Sequence, residues 1–201
     1  MSFKKLNPIL KEKLAEQNIE AFFPFQKEIT SKIKSGASVY GIGDTDIGKT
    51  TSLIINVLHK LQCKAEHDAP RALIFVKDKE SGLRLKEQFE VFTKGTDLRI
   101  YYASQKGNQE DQVDEIYYGK DIIISTPKQV CKLYFKNALN LNLTSMLILE
   151  DANQFMASEL EEITRISQSV SKCQFIVYGN KLDKKLENLQ HTFMESAWLA
   201  K

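Results

Sequence analysis

The stretch that decides the reading is Gly41-Ile42-Gly43-Asp44-Thr45-Asp46-Ile47-Gly48-Lys49-Thr50-Thr51. From Gly43 it has the form G-x-x-x-x-G-K-T. The short apolar run Ser38–Ile42 ahead of it reads as a strand, and Lys49–Gln62 behind it reads as a helix. In that setting a glycine loop turns successive backbone N–H groups toward an anion at the positive end of a helix. Gly43 and Gly48 permit the tight path, Lys49 reaches terminal phosphates, and the Thr50 hydroxyl serves a magnesium ion, with Thr51 next to it. Two carboxylates share the loop. Each opposes a phosphate a few ångströms away by on the order of 1 to 4 kcal/mol. Asp44 is expected to turn toward solvent, whereas Asp46 stands where a backbone N–H approaches the phosphates. A turn that no longer binds anions is the alternative these acids support.

Outward from the loop, strand and helix alternate. Apolar runs at Ala72–Val76, Leu98–Ser104, Asp121–Ser125, Ser145–Asp151 and Cys173–Gly179 read as further strands. Amphipathic spacing predicts helices over Ser81–Lys94, Asn108–Gly119, Pro127–Ala138, Ala157–Val170 and, as the last element, Lys181–Met194. Upstream, Leu6–Asn18 reads as a helix and Phe22–Gly36 as a turn followed by a helix, with Pro24 early in that helix and Gly36 at its stop. Strands that are continuous apolar runs argue for a parallel sheet covered on both faces. The expected fold is therefore α/β, a three-layer doubly wound parallel sheet. Ligands in such sheets lie at the carboxyl ends of the strands, where the glycine loop falls. No linker divides residues 1–201, so one domain is expected, with an N-terminal helical region over about residues 1–36.

Composition excludes little. The 201 residues are 42% hydrophobic and carry a net charge of +2, which announces no strongly basic nucleic-acid binder. No apolar run is long enough to span a membrane, and the N-terminus lacks a signal-peptide core, so a cytoplasmic location is expected. The three cysteines and three histidines are scattered and form no metal spacing.

The order of motifs resembles the N-terminal RecA-like domain of DEAD-box RNA helicases, a P-loop NTPase fold, over nearly the whole chain. Phe22-Phe23-Pro24-Phe25-Gln26 stands in the place of that family's Q motif. The resemblance makes Gln26 the adenine reader, since one amide both donates and accepts, and Phe3 the upstream aromatic. The family writes its phosphate loop A-x-T-G-S-G-K-T. Gly43, Thr45, Gly48, Lys49 and Thr50 agree or are compatible, while Asp46 and Ile47 replace Gly and Ser. Lys79 and Glu80 match the Arg and Glu of P-T-R-E-L, and Lys77 and Asp78 replace its Pro and Thr. The double glycine after the next strand is missing from Tyr101–Gly107. Thr126 and Pro127 match the start of T-P-G-R, and Lys128 and Gln129 replace its Gly and Arg. These segments imply contacts of Lys79, Thr126, Pro127 and Lys128 to the backbone of single-stranded RNA.

The family's name-giving acids appear as Glu150-Asp151-Ala152-Asn153, with the first two transposed and the last an amide. The resemblance gives Glu150 the magnesium ion and Asp151 the attacking water, one methylene short. Misplacements near 1 Å cost about a hundredfold in rate, so ATP hydrolysis is expected to be weak or absent. Tyr178-Gly179-Asn180 replaces S-A-T, the motif that contacts the fourth acid position. Both partners have changed together, and the expectation is that their coupling is lost. A second RecA-like domain supplies arginine fingers in the family, and no room for it is expected after Asn180; a separate domain or protein partner would have to provide it. The reading is an ATP-, magnesium- and RNA-binding helicase-like domain without autonomous unwinding. The alternatives are a nucleotide-independent RNA- or protein-interaction module and, less favoured by the Q motif, a small ATPase or kinase.

Overall fold

The computed structural model describes residues 6–200, so Phe3 lies outside the described residues. Helices α1 (Pro8–Glu16) and α2 (Pro24–Lys34) precede strand β1 (Val39–Ile42) and helix α3 (Lys49–Lys60). The chain then alternates through β2 (Ala72–Phe75), α4 (Lys79–Thr93), β3 (Ile100–Ala103), α5 (Gln109–Tyr117), β4 (Ile122–Ser125) and α6 (Pro127–Phe135). Strand β5 (Met146–Leu149), α7 (Ala157–Ser167), β6 (Gln174–Gly179), a short α8 (Lys184–Glu187) and β7 (Trp198–Ala200) follow. Every strand pairing is parallel, in the order β3-β4-β2-β5-β6-β1-β7.

Alternation along each strand explains the three layers. In β2 and β5, Ala72, Ile74, Met146 and Ile148 pack under α1 to α4 with Leu10, Leu14, Ile29, Ile54 and Phe89. Leu73, Phe75, Leu147 and Leu149 point the other way, onto Val130, Leu133, Leu160 and Ile163 of α6 and α7. A period of two with both faces apolar is what a doubly covered sheet demands. Among the described residues no helix is long and apolar enough to cross a membrane.

The carboxyl-terminal reading is corrected. Residues 181–194 do not form one helix. Asp183 caps α8 by accepting from the Leu186 N–H at 3.1 Å, a 3₁₀ turn at Asn188–His191 follows, and the backbone leaves helical geometry at Thr192. The buried Leu186, Leu189 and Met194 hold this segment to the sheet without a continuous helix. Strand β7 was not expected: it pairs with β1, and Trp198 lies under the Lys32 ammonium at 3.4 Å from its ring centroid. Three residues carry too little periodicity to announce a strand.

Candidate functional site

The strand order sets β5, β6 and β1 side by side, so Glu150–Asp151, Gly179–Asn180 and the glycine loop leave the carboxyl ends of neighbouring strands. Gly48, at φ 82°, caps α3, and a side chain there would run into the amide of Gln26. Lys49 is buried, and its ammonium donates to the carbonyls of Gly43 at 2.6 Å and Gly179 at 3.4 Å and to the Asn180 carboxamide oxygen. Burial lowers the Lys49 pKa from the usual lysine range, while the charges of Asp151, Asp44 and Asp46 pull it back. Asp44, Thr45 and Asp46 are exposed, and Thr50 and Thr51 are half-buried at the start of α3. Thr50 Oγ1 donates to Glu150 Oε1 at 3.4 Å. Glu150 is buried, and desolvation, with the Asp151 charge second, pushes its carboxyl up to about 7. Asp151 is half-buried and left-handed, at φ 47°.

Gln26 is 2% exposed, at the third position of α2. Its Oε1 accepts from the Phe23 N–H at 3.0 Å and its Nε2 donates to the Gly48 carbonyl at 3.2 Å. The amide thus ties the start of α2 to the glycine loop; one N–H and one lone pair remain.

A second constellation lies at the carboxyl ends of the neighbours β3, β4 and β2. Lys77, Asp78, Lys79, Tyr102, Ser104, Gln105, Lys106 and Thr126 line a cavity of about 260 Å³. Gln105 Nε2 donates to Thr126 Oγ1 at 2.7 Å, and Asp78 caps α4 by accepting from the Ser81 N–H at 2.9 Å. The Tyr102 ring lies against Gly82, where any side chain would strike it. Three ammonium groups and three hydroxyl-bearing side chains around one cavity suit a polyanion's phosphates. Of the residues singled out in the sequence, Lys79 and Thr126 line this cavity, while Pro127 is buried at the start of α6 outside the lining. Lys128 does not join them: it is exposed on α6, outside the cavity lining, and its charge acts on Glu162 of α7.

The family profile for the DEAD/DEAH box helicase matches residues 23–189. The chain belongs to this family. It is 26% identical over 194 residues to the pre-mRNA-processing ATP-dependent RNA helicase PRP5 of Meyerozyma guilliermondii, covering 92% of this chain and 22% of that protein. It is 23% identical over 197 residues to the mitochondrial DEAD-box ATP-dependent RNA helicase 9 of Arabidopsis thaliana, covering 95% of this chain and 32% of the relative. The chain therefore spans less than a third of the length of each of these two curated relatives. A crystal structure of a DEAD box protein from Methanococcus jannaschii has the same RecA-like fold, with a TM-score of 0.89 at 17% identity over 100% of this chain and 56% of that one.

The departures from the DEAD-box pattern now have physical reasons. Asp46 takes the place of a glycine at φ 69°, and aspartate is one of the few residues that tolerate that conformation. Ile47 folds back over Gly43 and packs on the core. The fourth acid position and the end of β6 remain in contact. Asn153 Oδ1 accepts from the Asn180 N–H at 2.7 Å, and its Nδ2 donates to the Lys181 carbonyl at 2.8 Å and to Asp183 Oδ2 at 2.9 Å. A methyl group at Gly179 would stand 2.6 Å from Asn153 Oδ1.

Sequence reasoning missed Lys106, Gln105 and Asn180. The first two sit where the family's double glycine is absent, which hid them; Asn180 was noticed only as a lost threonine. The donor set fits magnesium and a nucleotide: the Thr50 hydroxyl and Glu150 carboxylate are adjacent hard oxygens, and Lys49 stands beside them.

Proposed function

We propose that this chain is the ATP- and magnesium-binding, single-stranded-RNA-binding domain of a DEAD-box helicase, one domain with slow or no hydrolysis of its own. The observation that carries the reading is the meeting of Thr50 and Glu150 at 3.4 Å beside Lys49, at the mouth of a loop whose amides open α3. In this reading Gln26 offers its free N–H and lone pair to adenine. Gly43, Asp44, Thr45, Gly48 and Thr51 shape the loop, and Lys49 neutralises phosphate charge. Thr50 and Glu150 hold the magnesium ion, which when bound offsets phosphate charge and orients the transferred group. A cation held by Thr50 and Glu150 would favour the ionised form of the Glu150 carboxyl, which burial pushes up to about 7. Asp151 faces the water, short by one methylene of the family's glutamate. RNA phosphates lie along Lys77, Lys79, Lys106 and Thr126, with Lys128 a more distant charge.

The relatives named above are called ATP-dependent RNA helicases, which supports the nucleotide and RNA assignments. A second reading, an interaction module that has given up ATP, is favoured by one observation: the ammonium of Lys49 is already bonded to three protein oxygens. Calorimetric titration with ATP and magnesium separates the two. Saturable binding that disappears in Lys49→Ala is expected; no heat from either protein overturns the nucleotide reading. The 201-residue chain is expected not to displace a strand from an RNA duplex, and robust displacement would overturn that part of the proposal.

A further inference from the structure

An ammonium has three hydrogens, and Lys49 has given all of them to the protein. Its partners are the Gly43 carbonyl at 2.6 Å, the Gly179 carbonyl at 3.4 Å and the Asn180 carboxamide oxygen. The first two are backbone groups fixed by β1 and β6, themselves joined by the Gly43 N–H donating to the Gly179 carbonyl at 3.1 Å. The third belongs to an exposed side chain in the turn after β6, and it alone is free to move by rotating about its own bonds. The backbone of that turn is fastened independently: the Asn180 N–H is held by Asn153 at 2.7 Å, and Asn153 is anchored in turn to Lys181 and Asp183.

We propose that Asn180 is a positioning residue that latches Lys49 in the nucleotide-free protein and competes with phosphate for its ammonium. This rests on the nucleotide reading above. To meet a phosphate, Lys49 must drop at least one partner, and the weakly bonded Gly179 carbonyl and the exposed Asn180 side chain are the two it can lose. Releasing Asn180 has a cost, because a charge-assisted hydrogen bond in a partly buried site is among the stronger ones. The same bond gives the empty protein a defined, occupied Lys49 rather than a buried ammonium without partners.

The test is ATP titration with magnesium, by calorimetry, on the wild-type chain, Asn180→Ala, Asn180→Asp and Lys49→Ala, with circular-dichroism melts to verify folding. The latch predicts opposite signs. Asn180→Ala binds ATP about three- to tenfold tighter, since the competitor is gone. Asn180→Asp binds about tenfold weaker or worse, since a carboxylate holds the ammonium more firmly and repels phosphate. A merely structural asparagine moves both variants in the same, weaker direction, and that result overturns the latch. If the wild type binds ATP and Asn180→Ala binds equally, the latch fails while the nucleotide site stands. Binding by Asn180→Ala alone supports the latch and the site together. No binding by any folded variant overturns both.

Discussion

At the amino ends of β3, β4 and β2, Asp121 is wholly buried and fully answered. It accepts from Arg71 Nη2 at 2.8 Å, Arg99 Nε at 2.9 Å and the N–H groups of Glu66 at 3.0 Å and Arg99 at 3.1 Å. These bonds outweigh the burial and hold its carboxyl below the usual range. At the carboxyl ends of β5, β6 and β1, Glu150 is buried almost as deeply, yet it faces Asp151 and one hydroxyl, and its carboxyl rises to about 7. Both are carboxylates at strand ends. One is placed to stabilise the charge it carries; the other is left with less than it needs, as a group is when its missing partner is a ligand. The difference separates what holds this sheet together from what the sheet holds ready.

The widest gap between the two clusters is expected on removing the satisfied acid. Asp121→Ala leaves Arg71 and Arg99 facing an empty site and should lower stability by about 3–5 kcal/mol in urea denaturation. The wild-type contribution is fully present above about pH 4 and lost as pH falls through the lowered folded value, so the variant should also lose part of the acid-side dependence. A loss below about 1 kcal/mol would mean the cluster is solvated in practice and the contrast is empty.

Glu150 should behave with the opposite sign. Its folded carboxyl lies near 7 against an ordinary 4.5, so the native state keeps a proton the unfolded chain has released. Wild-type stability, without nucleotide or metal, should fall as pH rises across that window and level off above it. Glu150→Gln keeps an acceptor for Thr50 and removes the charge. It should be more stable than wild type by about 2–3 kcal/mol at pH 8 and level with it at pH 4. Equal melts at both pH values would show that Glu150 is as content as Asp121.

How much of this was open to the sequence follows the same division. Apolar runs and a glycine loop are local patterns, so β1 to β6 and the Lys49–Thr50 corner were legible. Asp121 read only as the first residue of a strand, because its partners Arg71 and Arg99 come from elements brought beside it by the order β3-β4-β2. Lys106 was hidden because the family's double glycine is absent from its segment. Lys128, close in sequence to Thr126, was placed with it by family pattern, and the turn of α6 carries it away. Asn153 and Gly179 were each seen as a departure; only the fold shows that a methyl group at Gly179 would stand 2.6 Å from Asn153 Oδ1.

That pair offers a finer test. Gly179→Ala pushes a methyl into Asn153 Oδ1 and should cost about 2 kcal/mol. In an Asn153→Ala background the same change should cost less than half as much, a coupling that a double-mutant cycle reads directly. Strict additivity would mean that Ile42 and Leu186, both 3.4 Å from the added methyl, set the cost instead.

The smallest effect concerns Asp46, whose charge and backbone make separate claims. It is exposed, so its repulsion of a phosphate is near the aqueous limit, about 1 kcal/mol or roughly fivefold in affinity. Its φ of 69° is one that glycine adopts freely and asparagine tolerates about as well as aspartate. Asp46→Asn therefore removes the charge and keeps the backbone preference, while Asp46→Gly removes both. If charge is what weakens the loop, both variants should bind ATP about fivefold tighter in low salt and converge on wild type as salt rises. If the gain appears only in Asp46→Gly and ignores salt, the loop is held back by its backbone, and the carboxylate that looked most hostile to phosphate is an accident of the turn it supports.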